Sequence, residues 1–309
     1  MNENSRPLVS ICIPTFNRGK YLDYLLNNII EQIGINSESV QVVVSDNFST
    51  DDTWSIIIKY QKIGLNLKYV RNSKNHGFVV NLNSALQVAD GEYCWLMGDD
   101  DAFRPGAIAY MSELIKTFRP DIAISNRFIC DIDLKVLSAD QFMPSEKGQS
   151  IFDCNDLSAM LEYFSKNTST VGMFNFISVL IIKRECWFKS SKIPGVSTTL
   201  FSHVFKVLDI IRNQHGRLLS VAAQTVFART ENDRLDEIHE GSEFKKWQLH
   251  FQGNVEIADH FFTDNRLLYD AFLSPIKAII LAGKQHYISL AEKDGFLDEA
   301  LATLKKLGI

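Results

Sequence analysis

The chain has 309 residues, 46% of them hydrophobic, and carries a formal net charge of −5 at pH 7. This length and this apolar content are ample for a large hydrophobic core, so they predict an ordinary globular fold. The negative charge argues against a general nucleic-acid-binding protein, because no basic excess is available to neutralise phosphates.

The first 125 residues alternate between predicted strands and predicted helices. Pro14 is expected to end the first strand, and Pro105 to lie in the first turn of the fourth helix. Because each crossover helix must return over the sheet, the alternation predicts an α/β fold with a parallel sheet covered on both faces. Apolar runs and helical spacing predict strands over 8–13, 40–44, 67–70, 93–97 and 122–125, and helices over 20–33, 53–62, 78–89 and 105–118.

The pattern is weaker in the remaining chain. Polar loops and one helix are expected over 131–166, and a strand-like segment over 174–183. Aromatic and aliphatic residues then recur over 244–262 and 267–309, which predicts a helical C-terminal region.

The cysteines and the N-terminus bear on location. The five cysteines are scattered and form no Cys-x-x-Cys pair, which favours reduced thiols over disulfides or structural zinc. Residues 1–7 are polar and lack the apolar core of a secretion signal. No stretch approaches the ~20 apolar residues of a membrane-spanning helix. We therefore expect a cytoplasmic protein, with peripheral contact at the inner face of the membrane left open.

Three consecutive carboxylates, Asp99, Asp100 and Asp101, follow the fourth predicted strand with only Gly98 between. Carboxylates packed this tightly repel one another unless solvent or a cation compensates them. Their hard oxygens favour Mg²⁺ or Mn²⁺, which usually complete their coordination with substrate phosphates. The alternative is a solvated acidic turn.

Polar loops also follow the other predicted strands, over 14–18, 45–49 and 71–77. Taken one at a time, turn chemistry or helix capping would account for each of them. Parallel strands, however, bring their carboxyl ends to one edge of a sheet, where open α/β sheets bind ligands. The four loops together predict one binding crevice. No G-x-G-x-x-G after the first strand and no P-loop pattern occurs, so NAD enzymes and P-loop NTPases are not favoured.

These segments resemble family 2 glycosyltransferases of the GT-A fold, which have a mostly parallel central sheet flanked by helices. The resemblance covers about residues 8–120 and is carried in order by residues 8–18, 42–53, 75–77 and 90–105. Residues 95–101, Trp-Leu-Met-Gly-Asp-Asp-Asp, also resemble the branch that includes abequosyltransferases of bacterial O-antigen synthesis.

The resemblance implies a role for each loop. Gly98 replaces the first acidic residue of the family's common pattern, so Asp99 and Asp100 are the expected pair, with Asp100 on the metal and Asp99 near the ribose. Asp101 is expected to cap the following turn. Asp46 is expected to read the base. The other residues implied in nucleotide-sugar binding are Pro14, Thr15, Asn17, Arg18, Arg71, Asn75 and Gly77.

The acceptor half departs from the family. Many members carry an acidic pair at the start of a helix where this chain has Ser202 and His203, which makes His203 the candidate general base. The alternative is a histidine packed among apolar neighbours, with Asp209 or Glu231 as the base. Arg229 is either a diphosphate clamp or a surface arginine. The family usually inverts the anomeric centre.

We therefore predict a Mn²⁺- or Mg²⁺-dependent glycosyltransferase that moves a sugar, a deoxyhexose if the O-antigen resemblance holds, from a nucleotide-diphospho-sugar to a saccharide acceptor. The same resemblance implies a lipid-linked acceptor. Residues 1–230 would form the GT-A domain, with a nucleotide-binding half over about 8–125 and an acceptor half over about 126–230, and residues 231–309 a C-terminal helical region. The alternatives are a non-catalytic sugar-nucleotide or glycan-binding protein and a sugar-phosphate nucleotidyltransferase, although the loop over 14–19 lacks the glycine-rich basic pattern expected of the latter.

Overall fold

A computed structural model describes residues 6–35, 37–142, 148–190, 201–230 and 242–309. Its first part alternates strands and helices as predicted. The elements are β1 (Val9–Thr15), α1 (Gly19–Ile33), β2 (Val40–Asp46), α2 (Thr53–Lys62), β3 (Leu67–Arg71), α3 (Phe78–Val88), β4 (Tyr93–Leu96), β5 (Ala102–Phe103) and α4 (Ala107–Phe118).

The second part adds strands that the sequence pattern does not predict. The predicted strand over 174–183 is a strand only at its end and is preceded by two short 3₁₀ turns, Thr170–Met173 and Ile177–Val179. The elements are β6 (Ile122–Cys130), β7 (Val136–Ala139), β8 (Gln149–Asp153), α5 (Leu157–Lys166), β9 (Leu180–Lys183), α6 (Arg184–Lys189), α7 (Ser202–Asn213), β10 (Arg217–Arg229), α8 (Glu243–Phe261), α9 (Arg266–Asp294) and α10 (Leu297–Leu307).

The α/β fold with a central sheet flanked by helices is confirmed, and the sheet is parallel in its first half. The strand order is β3-β2-β1-β4-β9-β6-β10-β5, with β7 beside β6 and β8 beside β10. Strands β3, β2, β1 and β4 pair in parallel. Strand β9 lies between β4 and β6 and runs antiparallel to both. The second half of the sheet is therefore mixed.

The expectation that Pro14 ends the first strand is wrong. Strand β1 continues to Thr15, and Pro14 lies opposite Ser45 of β2. Successive residues of β1 form their backbone hydrogen bonds alternately with β2 and with β4. The Thr15 carbonyl accepts from the amide of Asn47, just after β2, and the Cys12 carbonyl accepts from the amide of Met97, just after β4. Pro14 shares the β4 side with Cys12, and β4 has already ended there, so its missing N–H breaks no ladder hydrogen bond.

Two hydrophobic layers enclose the sheet. Alternate β1 side chains point to opposite faces, so Ile11 packs in the layer that holds buried residues of α1, α2 and α4, and Cys12 packs in the other. The layer around Cys12 includes buried residues of α3, α5, α7 and the three C-terminal helices. The C-terminal helices therefore share a core with the segments that face the second half of the sheet. No helix within the described ranges is long and apolar enough to cross a membrane.

Candidate functional site

A cavity of about 550 Å³ lies at the carboxyl ends of the parallel strands. The loops after β1, β2, β3 and β4 line one side of it, as the sequence predicts. The other side is formed by the segment before β9, the beginning of α7 and one residue of α8. The lining residues are Pro14, Thr15, Phe16, Arg18, Asn47, Asn75, Gly77, Phe78, Asn81, Gly98, Asp99, Asp100, Asp101, Asn175, Phe176, Ile177, Ser178, Phe201, His203 and His250.

The acidic pair after β4 is tied to the loop after β1. Thr15 Oγ1 donates to Asp99 Oδ2 at 2.7 Å. The Arg18 guanidinium lies 2.6 Å from Asp100 Oδ2 and 3.3 Å from Asp99 Oδ1, so one cation bridges both carboxylates. Burial and repulsion by Asp100 nevertheless raise the pKa of Asp99 to about 6. The contacts with Arg18 and Thr15 lower the pKa of Asp99 less than burial and Asp100 raise it.

The sequence predicts that Asp101 caps the following turn. In the structure its side chain instead faces the second half of the sheet. Its carboxylate accepts from Ser178 Oγ and from the Arg229 amide. Ser178 Oγ also accepts from the amide of Gly98, and its carbonyl accepts from Trp95 Nε1. Burial, reinforced by Asp100, raises the pKa of Asp101 to about 8. A single serine before β9 thus bonds to Trp95 of β4 and to two residues of the acidic loop that follows it, residues 98–101.

The acidic pair fits a divalent cation that is shared with a ligand. Within the described ranges no three His, Cys, Asp or Glu side chains are grouped so as to hold a metal ion by themselves. Mg²⁺ is commonly bound by one or two carboxylates together with substrate phosphates and water, which matches Asp99 and Asp100. The Arg18 guanidinium lies between the two carboxylates and contacts the same oxygens that would bind the cation.

Asn17 joins the loops after β1 and β2. Its backbone has a φ of 51°, in the left-handed region that asparagine tolerates better than most residues. Its amide donates to Ser49 Oγ, and its side-chain oxygen accepts from the amide of Thr50 at 2.7 Å. Asn17 is not among the residues that line the cavity. The structure gives it a role in holding the loops, and ligand contact stays a prediction.

Asp46 is fully buried at the end of β2. Its carboxylate accepts from the amide of Ser49 at 2.7 Å and from the hydroxyl of Tyr69 at 2.8 Å, and Arg71 Nε lies 3.5 Å away. Arg71 also donates to the Ser49 carbonyl and covers the ring of Phe48. Neither Asp46 nor Arg71 lines the cavity, so base recognition by these two residues stays a prediction.

Asparagines connect the loops after β2 and β3. Asn47 Nδ2 donates to Asn75 Oδ1 at 2.6 Å, and Asn47 Oδ1 accepts from the amide of His76. Gly77 precedes α3 with a φ of 82°, a conformation that favours glycine, and its amide donates to Asn75 Oδ1. Asn81 extends the network by accepting from Ser45 and donating to the Thr15 carbonyl.

His203 lies in the first turn of α7 and lines the cavity although it is only 3% exposed. Its Nε2 is 3.1 Å from the carbonyl oxygen of Phe174. A carbonyl oxygen only accepts, so Nε2 carries the proton, and in the neutral ring Nδ1 bears the lone pair. Asp209 is also buried but lies outside the cavity lining, and Glu231 falls outside the described residues.

Arg229 contacts the acidic loop from behind. Its guanidinium donates to the carbonyls of Asp100 and Ile132 and lies 5.1 Å from the ring centroids of Tyr21 and Tyr24. It does not line the cavity. These contacts give Arg229 a structural role in supporting the Asp100 backbone, and contact with a diphosphate stays a prediction.

Several cavity residues are not among those predicted from the sequence. Asn47 and Asn81 lie beside predicted residues, and their polar side chains at a predicted strand end and at the start of a predicted helix would have indicated them. Asn175, Phe176, Ser178 and His250 had no such signal, because they come from elements that no local pattern brings to this edge.

Comparison with known proteins agrees with this geometry. The model of a family described as "Glycosyl transferase family 2" matches residues 10–185. The chain is 28% identical to abequosyltransferase RfbV of Salmonella typhimurium, over 86% of this chain and 78% of the relative. It is 32% identical to a GalNAc(5)-diNAcBac-PP-undecaprenol beta-1,3-glucosyltransferase of Campylobacter jejuni, over 35% and 34% of the two chains.

A solved structure supports the fold. The structure of S. aureus TarS residues 1–349 in complex with UDP-GlcNAc superposes with a TM-score of 0.67 and 16% identity, over 97% of this chain and 81% of that one.

Proposed function

Since the chain belongs to glycosyl transferase family 2 and is a glycosyltransferase, we propose that it transfers a sugar from a nucleotide-diphospho-sugar to a saccharide acceptor. The reaction would belong to bacterial surface polysaccharide synthesis. Asp100 and Asp99 would bind the Mn²⁺ or Mg²⁺ ion. The observation that carries the proposal is that one cavity is lined by this acidic pair and by His203. No observation favours a nucleotidyltransferase or a non-catalytic binding protein.

The leaving group is a nucleoside diphosphate, which gains negative charge as its bond to the anomeric carbon breaks. A bound divalent cation supplies the positive charge that stabilises it. The residues of the chain hold the rest of the donor. Arg18, with its planar fork of donors, is suited to a phosphate oxygen, and the loops of Thr15, Asn47 and Asn75 enclose the nucleotide.

His203 is proposed as the general base. Because Nε2 is held by the Phe174 carbonyl, Nδ1 takes the proton from the attacking acceptor hydroxyl. His203 and the acidic pair line the same cavity but come from different segments of the chain, and we propose direct displacement at the anomeric carbon with inversion, as is usual in the family. Asp209 and Glu231 are the alternative bases.

The donor and acceptor are proposed from the relatives. The similarity to an abequosyltransferase supports a deoxyhexose as the transferred sugar. The relative named for an undecaprenol-diphosphate-linked saccharide supports a lipid-linked acceptor, and with it peripheral contact at the inner face of the membrane.

Thermal-shift measurements test the proposal. The protein is melted with UDP, GDP, CDP and dTDP, each with and without Mn²⁺, because a ligand that binds only the folded state raises its stability. We expect one diphosphate to raise the melting temperature, and more strongly with Mn²⁺. The matching nucleotide-sugar should then be hydrolysed slowly with metal and without acceptor. A protein stabilised by none of the diphosphates contradicts the proposal.

A further inference from the structure

The first feature that points to a ligand is the buried side-chain amide of Asn175. Asn175 lies before β9 and lines the cavity. Its side-chain oxygen and nitrogen are both buried, and neither has a hydrogen-bond partner within the described residues. A buried polar group without a partner is costly, and native structures rarely keep one without a reason. An amide offers one acceptor and two donors, which suits neighbouring hydroxyl groups of a ligand.

Phe176, the next residue, also lines the cavity. Its ring lies on the guanidinium of Arg127, with 4.1 Å between the guanidinium carbon and the ring centroid. Arg127 Nε is 3.4 Å from Asp140 Oδ2, so the arginine is itself held in place. A ring supported in this way on one face offers the cavity a fixed apolar surface with a negative π-face. The weakly positive C–H bonds of a sugar ring pack well against such a surface.

Along the chain, Asn175 and Phe176 lie between a residue that contacts His203 and a residue that contacts the acidic loop. The carbonyl of Phe174, directly before the pair, fixes His203. Ser178, directly after Ile177, fixes the acidic loop through Gly98 and Asp101. A transferred sugar has to lie between its leaving diphosphate and the base that activates the acceptor. Asn175 and Phe176 occupy the part of the chain that spans this interval.

We infer that Asn175 and Phe176 form the binding subsite for the transferred sugar: the Phe176 ring packs against an apolar face of the sugar, and the Asn175 amide turns into the cavity and bonds adjacent hydroxyls. The inference rests on the proposed function, because it takes the cavity as the donor site. It assigns the discrimination between sugars to these two residues rather than to the loops that hold the nucleotide.

The test compares each nucleoside diphosphate with its sugar conjugate by calorimetric titration in Mn²⁺. The probe pairs are UDP with UDP-GlcNAc, GDP with GDP-fucose, dTDP with dTDP-rhamnose, and CDP with CDP-glucose, so that two of the conjugates carry a deoxyhexose. In the wild type, at least one conjugate should bind more tightly than its diphosphate. Asn175→Ala and Phe176→Ala should each weaken that conjugate roughly tenfold, the scale of one or two lost contacts, and leave the diphosphate unchanged.

Asn167→Ala is the matched control. Asn167 is a buried asparagine whose Nδ2 has no hydrogen-bond partner within the described ranges, and it does not line the cavity. Its substitution should change neither affinity. Asn175→Asp and Phe176→Leu repeat the measurement with smaller changes of shape if an alanine variant does not fold.

The outcomes separate this inference from the proposed function. Wild-type conjugate affinity in the variants overturns the subsite, and so does an equal loss for diphosphate and conjugate. A wild type in which no conjugate binds more tightly than its diphosphate also overturns it, while nucleotide binding stands. A wild type that binds no diphosphate at all removes the proposed function itself.

Discussion

The two sides of the cavity differ in how their polar groups are bonded. On the nucleotide side, Thr15, Arg18 and Asn47 each bond to a neighbouring loop, so this side is held in place before a ligand arrives. On the other side, Ser178 and His203 are also hydrogen-bonded, but the Asn175 amide has no hydrogen-bond partner within the described residues and lies next to the aromatic ring of Phe176 in the chain.

The difference suggests that the two sides bind different parts of the ligand. Preorganised polar loops favour a ligand part of constant chemistry, because no free energy is spent on ordering them at binding. A diphosphate with its cation is such a part. An aromatic ring and an amide that has no hydrogen-bond partner within the described residues suit the part that varies among sugars. If this difference holds, substitutions on the nucleotide side weaken or abolish nucleotide binding, whereas substitutions on the other side change turnover or sugar preference.

The largest effect is expected for Asp100→Ala. Its carboxylate pairs with Arg18 and is partly exposed, so it contributes charge rather than packing. We expect Mn²⁺-dependent nucleotide binding and transferase activity to be lost while the melting temperature stays close to that of the wild type. Asp23→Ala is the control. It removes an exposed carboxylate of α1 that pairs with Lys59 of α2, and it should change neither nucleotide binding nor activity. Wild-type Mn²⁺ affinity in purified Asp100→Ala protein would contradict the assignment.

His203→Ala tests the opposite side. Loss of a general base usually costs roughly 10²-fold or more in rate, and nucleotide binding should persist because the histidine is not part of the nucleotide loops. Only the neutral ring accepts a proton, so wild-type activity should fall as the pH is lowered and the ring becomes protonated. Steady-state kinetics across pH measures both effects.

His260→Ala is the control for the histidine substitution, since His260 is exposed and does not line the cavity. A folded His203→Ala protein that is nearly as active as the wild type would make His203 a packing residue. Asp209 and Glu231 would then be the candidate bases.

Asp46→Ala is expected to have a smaller effect on activity and a separate effect on stability. Removal of the carboxylate leaves the Ser49 amide and the Tyr69 hydroxyl without their acceptor, which should cost about 1–3 kcal/mol of unfolding free energy. If Asp46 also reads the base, donor affinity should fall by about tenfold, with a smaller change in the rate at saturation. Urea denaturation and calorimetric titration measure the two effects.

Tyr69→Phe separates the two effects of Asp46. It removes the hydrogen bond that the Tyr69 hydroxyl donates but keeps the Asp46 carboxylate. The free energy of unfolding should therefore fall while the affinity for the donor stays unchanged. If Asp46→Ala loses stability but binds the donor as the wild type does, Asp46 is only a turn-forming carboxylate.

The sequence predicts the nucleotide side well, because local signals determine it. Strands β1 to β4 follow apolar runs, and parallel strands must bring their loops to one edge. The loops that contain Thr15, Asn75 and Asp99 could therefore be placed without a structure. The extension of β1 through Pro14 was missed, because it depends on where the neighbouring strand β4 ends.

The other side could not be predicted in the same way. Strand β9 pairs with β4 and β6, which are distant in sequence, and no local periodicity records such a pairing. The Ser178 hydroxyl reaches Asp101 only because of it. The prediction of His203 rests on the resemblance rather than on a local pattern, and no local pattern indicates Asn175. Long-range pairing thus decides which residues complete the site.

The smallest effect concerns the cation balance and is expected for Arg18→Gln. Arg18 bridges Asp99 and Asp100, so a cation at Asp100 has to compete with the guanidinium for the same oxygens. Without nucleotide, Arg18→Gln should therefore bind Mn²⁺ a few-fold more tightly, because a neutral amide competes less than a cation. With Mn²⁺ present, the same variant should bind the nucleoside diphosphate more weakly, because a phosphate donor is lost.

Opposite signs in these two measurements distinguish competition from general damage to the site. Electron paramagnetic resonance of unbound Mn²⁺ gives the first affinity, and titration with the diphosphate gives the second. Arg71→Gln removes an arginine that pairs with Asp46 rather than with the acidic loop, so its Mn²⁺ affinity should match the wild type. Weaker Mn²⁺ binding in Arg18→Gln would show instead that the guanidinium holds the two carboxylates in place for the metal. The cation would then bind beside Arg18 rather than displace its guanidinium from Asp99 and Asp100.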